Sequence, residues 1–234
     1  MISSVVYSPI KRSAMARHIQ LSLPTPPTWG GRRPGAGRKP TPGRRPGVPH
    51  RARPPHTAAH PVHVTLRTTH AIRCLRAGRV FPAVRHALAA TSHRGFRILH
   101  FSTQDDHLHL LVEADNRDHL LRGIRGLAIR VARSVNRALG RRGAVWAGRY
   151  HARALTTPRE VRHGLVYVLM NRKKHAPGAT GFDDCSSARW FEGWREPPGS
   201  GPEEPSPVAR PRTWLAAAGW RRYGLVGVDE RPRS

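Results

Sequence analysis

Apolar and polar positions alternate strictly where the chain leaves its first prolines and glycines. Val62, Val64 and Leu66 interleave with His63, Thr65 and Arg67, the period-two pattern of a strand with one buried face. A helix-length segment over 80–92 follows, with Val84 and Leu88 one turn apart, and Phe96, Ile98 and His100 then alternate with Arg97 and Leu99 as a second strand. Residues 107–112 (HLHLLV) read as a third strand, close enough to the second to form a hairpin across 103–106. Over 118–139 the residues Leu120, Ile124, Leu127, Val131 and Val135 recur at helical spacing, with Arg122, Arg125, Arg130, Arg133 and Arg137 mostly off that stripe. Residues 145–155 are a fourth strand candidate. Pro158, just inside a start at Thr157, opens a last helix running to about Lys174. Strand, helix, strand, strand, helix, strand is the split βαβ order of an α+β, ferredoxin-like antiparallel sheet, here with one C-terminal helix appended.

Composition changes this picture at both ends. Residues 1–59 contain no Asp or Glu, and 29–55 (WGGRRPGAGRKPTPGRRPGVPHRARPP) combine Gly, Pro and Arg with almost no apolar side chains, too little to offset the entropy of ordering. The expected organisation is a disordered basic tail over 1–59, a folded domain over 60–176, and a partly disordered extension over 177–234. Within that extension Trp214 to Trp220 (WLAAAGW) reads either as a short helix packed back on the domain or as a DNA-contacting appendage. Arg-Pro steps such as Arg33-Pro34 and Arg45-Pro46 loosely match minor-groove hooks, and a solvated tail with unspecific phosphate affinity fits them as well.

A formal charge of +27 and a pI near 11.9 call for a polyanionic partner, with nucleic acid the first candidate. No apolar run approaches the roughly 20 residues that span a bilayer, and no signal peptide is recognisable at the N-terminus, so a cytoplasmic protein without membrane partner or small-molecule cofactor is expected. Cys74 and Cys185 are too few for a disulfide framework or a cysteine zinc site. Arg122, Arg125, Arg149, Lys173 and Lys174 are candidate DNA-binding cations.

Candidate chemistry begins with His107-Leu108-His109. Two residues apart on a strand, the imidazoles share one face while Leu108, Leu110 and Val112 point to the core. Two imidazoles alone are a weak metal signal in a chain with 15 His. On the last helix Tyr167 and Asn171 are spaced i, i+4 and would share a face, an amide oxygen beside a phenol. Amide oxygen suits a hard ion such as Mg²⁺ or Mn²⁺, and a nearby cation favours a phenolate nucleophile. Tyr150 is the competing nucleophile, on the expected fourth strand without an amide partner. An ordinary packed tyrosine is the alternative for Tyr167.

These segments together, HPVHVTLR at 60–67, QDDHLHLLVEA at 104–114, GRYHARAL at 148–155 and YVLMNRKKHA at 167–176, resemble the HUH single-tyrosine transposases of small bacterial insertion sequences and the related REP-associated tyrosine transposases. The resemblance covers about 60–176. It implies that His107, His109 and Asn171 are metal ligands and Tyr167 the nucleophile of a Mg²⁺- or Mn²⁺-dependent transesterification. That reaction leaves a 5′-phosphotyrosine link and a free 3′-hydroxyl on single-stranded, hairpin-containing DNA, with a homodimer as the working unit. Two departures stand out: Asn171 is followed by Arg172 where Asn-Pro is common, and Asp105-Asp106 precedes the His pair where Pro-Asn is frequent. They leave open whether the enzyme is mobile or domesticated.

Other classes compete. A non-enzymatic hairpin-DNA-binding protein would use the same charge. A two-histidine phosphodiesterase matches at His63-Val64-Thr65 and fails at His107-Leu108-His109, which lacks the hydroxyl residue. An RNA-binding sheet would need exposed aromatics on its central strands, which carry few. From the acid-free first 104 residues, DNA affinity is expected to fall steeply with salt and deletion of 1–59 to flatten the log–log slope by about one unit for each phosphate that the tail neutralises. Anisotropy titrations of both proteins check this; equal slopes would mean that the tail does not touch DNA.

Overall fold

The computed structural model describes residues 55–176, 178–196 and 204–232. The Arg-Pro steps, and the expected basic tail as far as residue 54, lie outside them, as do Pro177, 197–203 and 233–234. The elements are β1 (Val62–Arg67), α1 (Phe81–Ala89), β2 (Phe96–Thr103), β3 (His107–Ala114), α2 (Arg117–Ala138), β4 (His151–Ala154), α3 (Pro158–Leu169), α4 (Arg172–His175) and α5 (Trp214–Ala217). Short 3-10 turns follow at Ala188–Trp190 and Gly219–Tyr223. The strands form one antiparallel sheet in the order β2-β3-β1-β4, the ferredoxin-like arrangement expected from the element order. None of the described helices is long and apolar enough to cross a membrane.

Alternation along β1 and β3 divides the sheet into an apolar and a mixed face. Val62, Val64 and Leu66 with Leu108, Leu110 and Val112 point toward α1 and α2, where they meet Val84, Leu88, Ile124, Leu127, Val131 and Val135. Helix α2 starts where Asn116 accepts a hydrogen bond from the His119 amide (2.8 Å), and Asp118 sits in its positive first turn. Its apolar stripe is the one expected from the spacing.

Three departures from the expected pattern carry consequences. In β2 the alternation breaks: a bulge between Ile98 and His100 leaves Phe96, Ile98 and Phe101 on the α1/α2 side and moves Leu99 to the other core. His100 therefore does not continue the Phe96 and Ile98 face. It is fully desolvated, which lowers its pKa to about 3, and its Nδ1 lies 3.2 Å from the Ser187 hydroxyl.

The expected fourth strand is short, and Tyr150 precedes it, half-buried against the α1/α2 core. The expected last helix is interrupted. Helix α3 ends at Leu169, with Met170 outside helical geometry (φ −106°, ψ 16°), and α4 resumes at Arg172. Bonds from the Lys173 amide to the Met170 carbonyl and from Lys174 to Asn171 (both 3.0 Å) replace the α-helical pattern. The break buries Met170 and the stem of Lys173 together.

The mixed face is covered by α3 and by the C-terminal residues. Leu99 and Leu111 pack there with Val161, Leu165, Leu169, Phe191, Trp194, Leu215 and Trp220, so Trp214 to Trp220 is a short helix packed back on the domain. Its attachment is polar. The Glu113 carboxylate, essentially without exposure, accepts from Arg97 (3.2 Å), from the Arg212 and Thr213 amides (2.9 Å each) and from the Thr213 hydroxyl (2.8 Å). Arg162 of α3 donates to the Gly224 and Leu225 carbonyls (2.9 Å each) and pairs with Glu230 (2.6 Å).

Two glycines of α2 give a matched stability test. A Cβ at Gly123 would collide with the buried Phe96 ring, whereas Gly126 faces open space. Gly126→Ala is expected to stabilise by about 0.5–1 kcal/mol through helix propensity and Gly123→Ala to destabilise by about 1–3 kcal/mol through overpacking. Urea unfolding of both variants checks the sign of each.

Candidate active site

The register of β1 on β3 sets His63 opposite Leu111, Thr65 opposite His109 and Arg67 opposite His107, while β4 sets His151 opposite Thr65 and Arg153 opposite His63. Directly paired residues share a face. The histidine pair therefore stands within a polar strip of the sheet, over which α3 and α4 pass.

The two rings are 4.6 Å apart at nearly right angles, and each has its Nδ1 occupied from outside. His107 Nδ1 lies 2.6 Å from the Asp106 carboxylate, which also pairs with Arg67 (2.5 Å). The Asp106 carbonyl in turn accepts from the Thr68 amide (2.8 Å). His109 Nδ1 lies 3.1 Å from the Thr65 hydroxyl and 3.2 Å from His63 Nε2. In the tautomer with the proton on Nδ1, each ring is left with an unprotonated Nε2, as an outer-shell acceptor arranges for metal-binding histidines. His109 Nε2 is buried without a hydrogen-bond partner.

Desolvation keeps these imidazoles neutral. Burial, then the neighbouring His107, His63 and His175, brings His109 down to about 2, and burial followed by His151 and Arg153 brings His63 to about 4. His107 is lowered by burial against the opposing pull of Asp106. Burial alone would raise Asp106, and the hydrogen bond and charge of His107 with the charge of Arg67 hold it below the usual carboxylate range. Neutral imidazole is the form that donates to a metal.

Tyr167, half-buried on α3, places its ring 5.1 Å from that of His109 and 5.4 Å from that of His63. The Lys174 ammonium lies 5.2 Å from the Tyr167 ring centre, and the His175 ring lies 5.3 Å from His107. Asn171 falls in the chain midway between Tyr167 and His175. It is fully buried, and neither its amide oxygen nor its amide nitrogen has a hydrogen-bond partner. An orphaned amide is costly in a folded interior unless a ligand completes it. Among the described residues no three His, Cys, Asp or Glu side chains converge on a metal-sized position. His109 Nε2 and the Asn171 amide are the buried polar atoms of these residues that lack a hydrogen-bond partner. Beside Tyr167 a cleft of about 540 Å³ opens, lined among others by His63, His151, Arg153 and Arg162.

The expected cations divide. Lys174 stands at the site. Lys173 does not reach solvent: it is 6% exposed and donates to the Val228 carbonyl. Arg149 is exposed just before β4. Arg122 and Arg125 are exposed on α2, the helix packed on the opposite face of the sheet from the histidine pair. Tyr150, with its hydroxyl buried, belongs to that opposite face too. Asp106, Thr65, His63 and His175 also stand against the histidine pair, a placement that motif reading did not assign to them. The alternation of β1 carries the signal for His63 and Thr65, and adjacency to the first histidine carries it for Asp106.

Comparison with known proteins finds three similarities. Residues 58–163 match the family model described as Transposase IS200 like, a stretch that contains both histidines and ends before Tyr167. Among solved structures, a REP-associated tyrosine transposase bound to a REP hairpin is similar at 18% identity and a TM-score of 0.45, over 55% of this chain and 75% of that one. A Deinococcus radiodurans R1 protein assigned as a transposase is similar at 17% identity and a TM-score of 0.35, over 41% of this chain and 78% of that one. No curated protein matches the chain. The stretch over 58–163 that is similar to IS200-like transposases contains the entire four-stranded sheet and the α1/α2 layer.

Proposed function

We propose that the chain cuts and rejoins single-stranded, hairpin-containing DNA through a covalent link to Tyr167, in a Mg²⁺- or Mn²⁺-dependent transesterification. The observation that carries this reading is the convergence of the Tyr167 ring on His109 and His63, with the partnerless Asn171 amide four residues after the tyrosine. His107, His109 and Asn171 would hold the ion, which when bound polarises the scissile phosphate and offsets its charge. Asp106 and Thr65 orient the imidazoles by accepting their Nδ1 protons. Lys174, beside the phenol, favours negative charge developing on its oxygen and attracts the incoming phosphate.

Tyr167 Oη attacks phosphorus and forms the tyrosyl–phosphate ester as the bond to the 3′-oxygen breaks. That oxygen leaves with a proton as a free 3′-hydroxyl. The ester retains the energy of the broken phosphodiester, so a 3′-hydroxyl attacking it reverses the step and restores a continuous strand. A homodimer belongs to the same reading. A non-enzymatic hairpin-binding role would use the same charge and leave the buried donor set without a purpose.

His107→Ala or His109→Ala is expected to abolish metal-dependent cleavage, a loss of at least a hundredfold, while strand binding persists. Cleavage assays with and without Mg²⁺, beside anisotropy titrations, check this. Unchanged cleavage in the double variant would remove the metal assignment. Tyr167→Phe deletes only the phenolic oxygen, so the fold and DNA binding should survive while the covalent adduct disappears. Peptide mapping of the adduct, with Tyr150→Phe as the matched control, tests the assignment; an adduct on Tyr150 or persistent cleavage in Tyr167→Phe would overturn it.

A further inference from the structure

Beyond the family-matched stretch, the C-terminal residues leave two aromatic rings in solvent. Among the described residues four large hydrophobic side chains are exposed: Leu121 and Ile129 on α2, and Trp214 and Tyr223, at 52% and 53% exposure. Loose packing does not account for the aromatic pair. Leu215, Ala216 and Trp220, between them in the chain, are buried in the core beneath α3, so the segment already has an inward face.

The Trp214 indole is fixed in place. It lies so close to Gly219 that a Cβ there would sit 2.7 Å from its ring, and the Arg222 guanidinium stacks over it at 4.9 Å. Arg221 and Arg222 are both exposed, and no Asp or Glu occurs from residue 205 to residue 228. Flat aromatic faces, a guanidinium plane and uncompensated positive charge match a partner with π-faces and a phosphate backbone, which is unpaired nucleic acid.

The position of this patch relative to the site adds to the case. Arg162, which lines the cleft beside Tyr167, donates to the Gly224 and Leu225 carbonyls directly after Tyr223. Arg162 and Tyr167 are five residues apart on α3, about 7.5 Å of helix rise. The aromatic segment is therefore pinned to the same helix that carries the tyrosine.

We infer that Trp214, Tyr223 and Arg222 form a stacking platform for the unpaired bases of a DNA strand that flanks the cleavage site. This rests on the reading of the chain as acting on single-stranded DNA. The test uses full-length protein and binding alone. Affinity for a labelled, unstructured single-stranded oligonucleotide and for the same strand with abasic sites is measured for wild type, Trp214→Ala/Tyr223→Ala and Trp214→Phe/Tyr223→Phe.

Stacking is worth about 1–3 kcal/mol per base, so the double alanine variant should lose about tenfold or more. The phenylalanine variant should stay near wild type, and wild type should bind the abasic strand as weakly as the alanine variant binds the intact one. The salt slope should not change, because no cation is removed. Equal affinity of wild type for intact and abasic strands would overturn the platform even if the alanine variant failed to fold. Loss of binding to phosphatidylserine vesicles in the alanine variant, with strand binding unchanged, would overturn it in favour of a membrane surface. Wild type that binds no single strand at all would overturn the proposed function as well.

Discussion

A carboxylate without solvent holds the second layer of this protein to its sheet. Glu113 sits on the mixed face of β3, two residues from Leu111 on the strip that also carries the histidines, and its charge is admissible there only because Arg97 and three donors of residues 212–213 surround it. Those donors belong to the segment that leads into α5. Satisfying one buried charge therefore brings the C-terminal residues onto the sheet, and they in turn supply Leu215 and Trp220 to the core under α3. The tyrosine helix is sandwiched between a sheet and a strap that both depend on this residue. Truncating the carboxylate would leave the buried Arg97 with only Asp115 and the Arg94 carbonyl, and would orphan the donors of residues 212–213, a larger loss than the ion pair itself contributes.

The rest of the mixed face obeys the same constraint. His107 and His109 are buried, their Nδ1 atoms meet Asp106 and Thr65, and the His109 Nε2 lone pair and the Asn171 amide are left without partners. The unsatisfied atoms are thus confined to the region where the Tyr167 and His175 rings approach the histidine pair.

Much of this was legible from periodicity. The alternation of β1 and β3 assigns both faces correctly, and the stripe of α2 predicts its buried residues, because these patterns are local and tertiary packing reinforces them. Four features were not legible. The bulge at Leu99 is a backbone irregularity that side-chain type does not announce, so simple alternation puts His100 on the face of Ile98. The break after Leu169 falls among residues that tolerate helix well, and it is decided by burial of Met170 and by the reach of Lys173 to Val228. Lys173 and Lys174 are chemically identical neighbours in the sequence, and only the fold makes one a structural tie and the other a surface charge. Nothing near Glu113 in the sequence announces its burial, because the donors that surround it come 99 residues later.

The interruption after Leu169 has an electrostatic consequence of its own. Ending a helix there leaves its final carbonyls without intrahelical partners and places the negative pole of the α3 dipole within a turn of Tyr167 and next to Asn171. A continuous helix would have carried that pole several residues farther on, past the lysines. Such a pole repels a phosphate and attracts a cation, and Lys174 and His175 stand just beyond it. The backbone itself therefore favours positive charge at this point, ahead of any side chain.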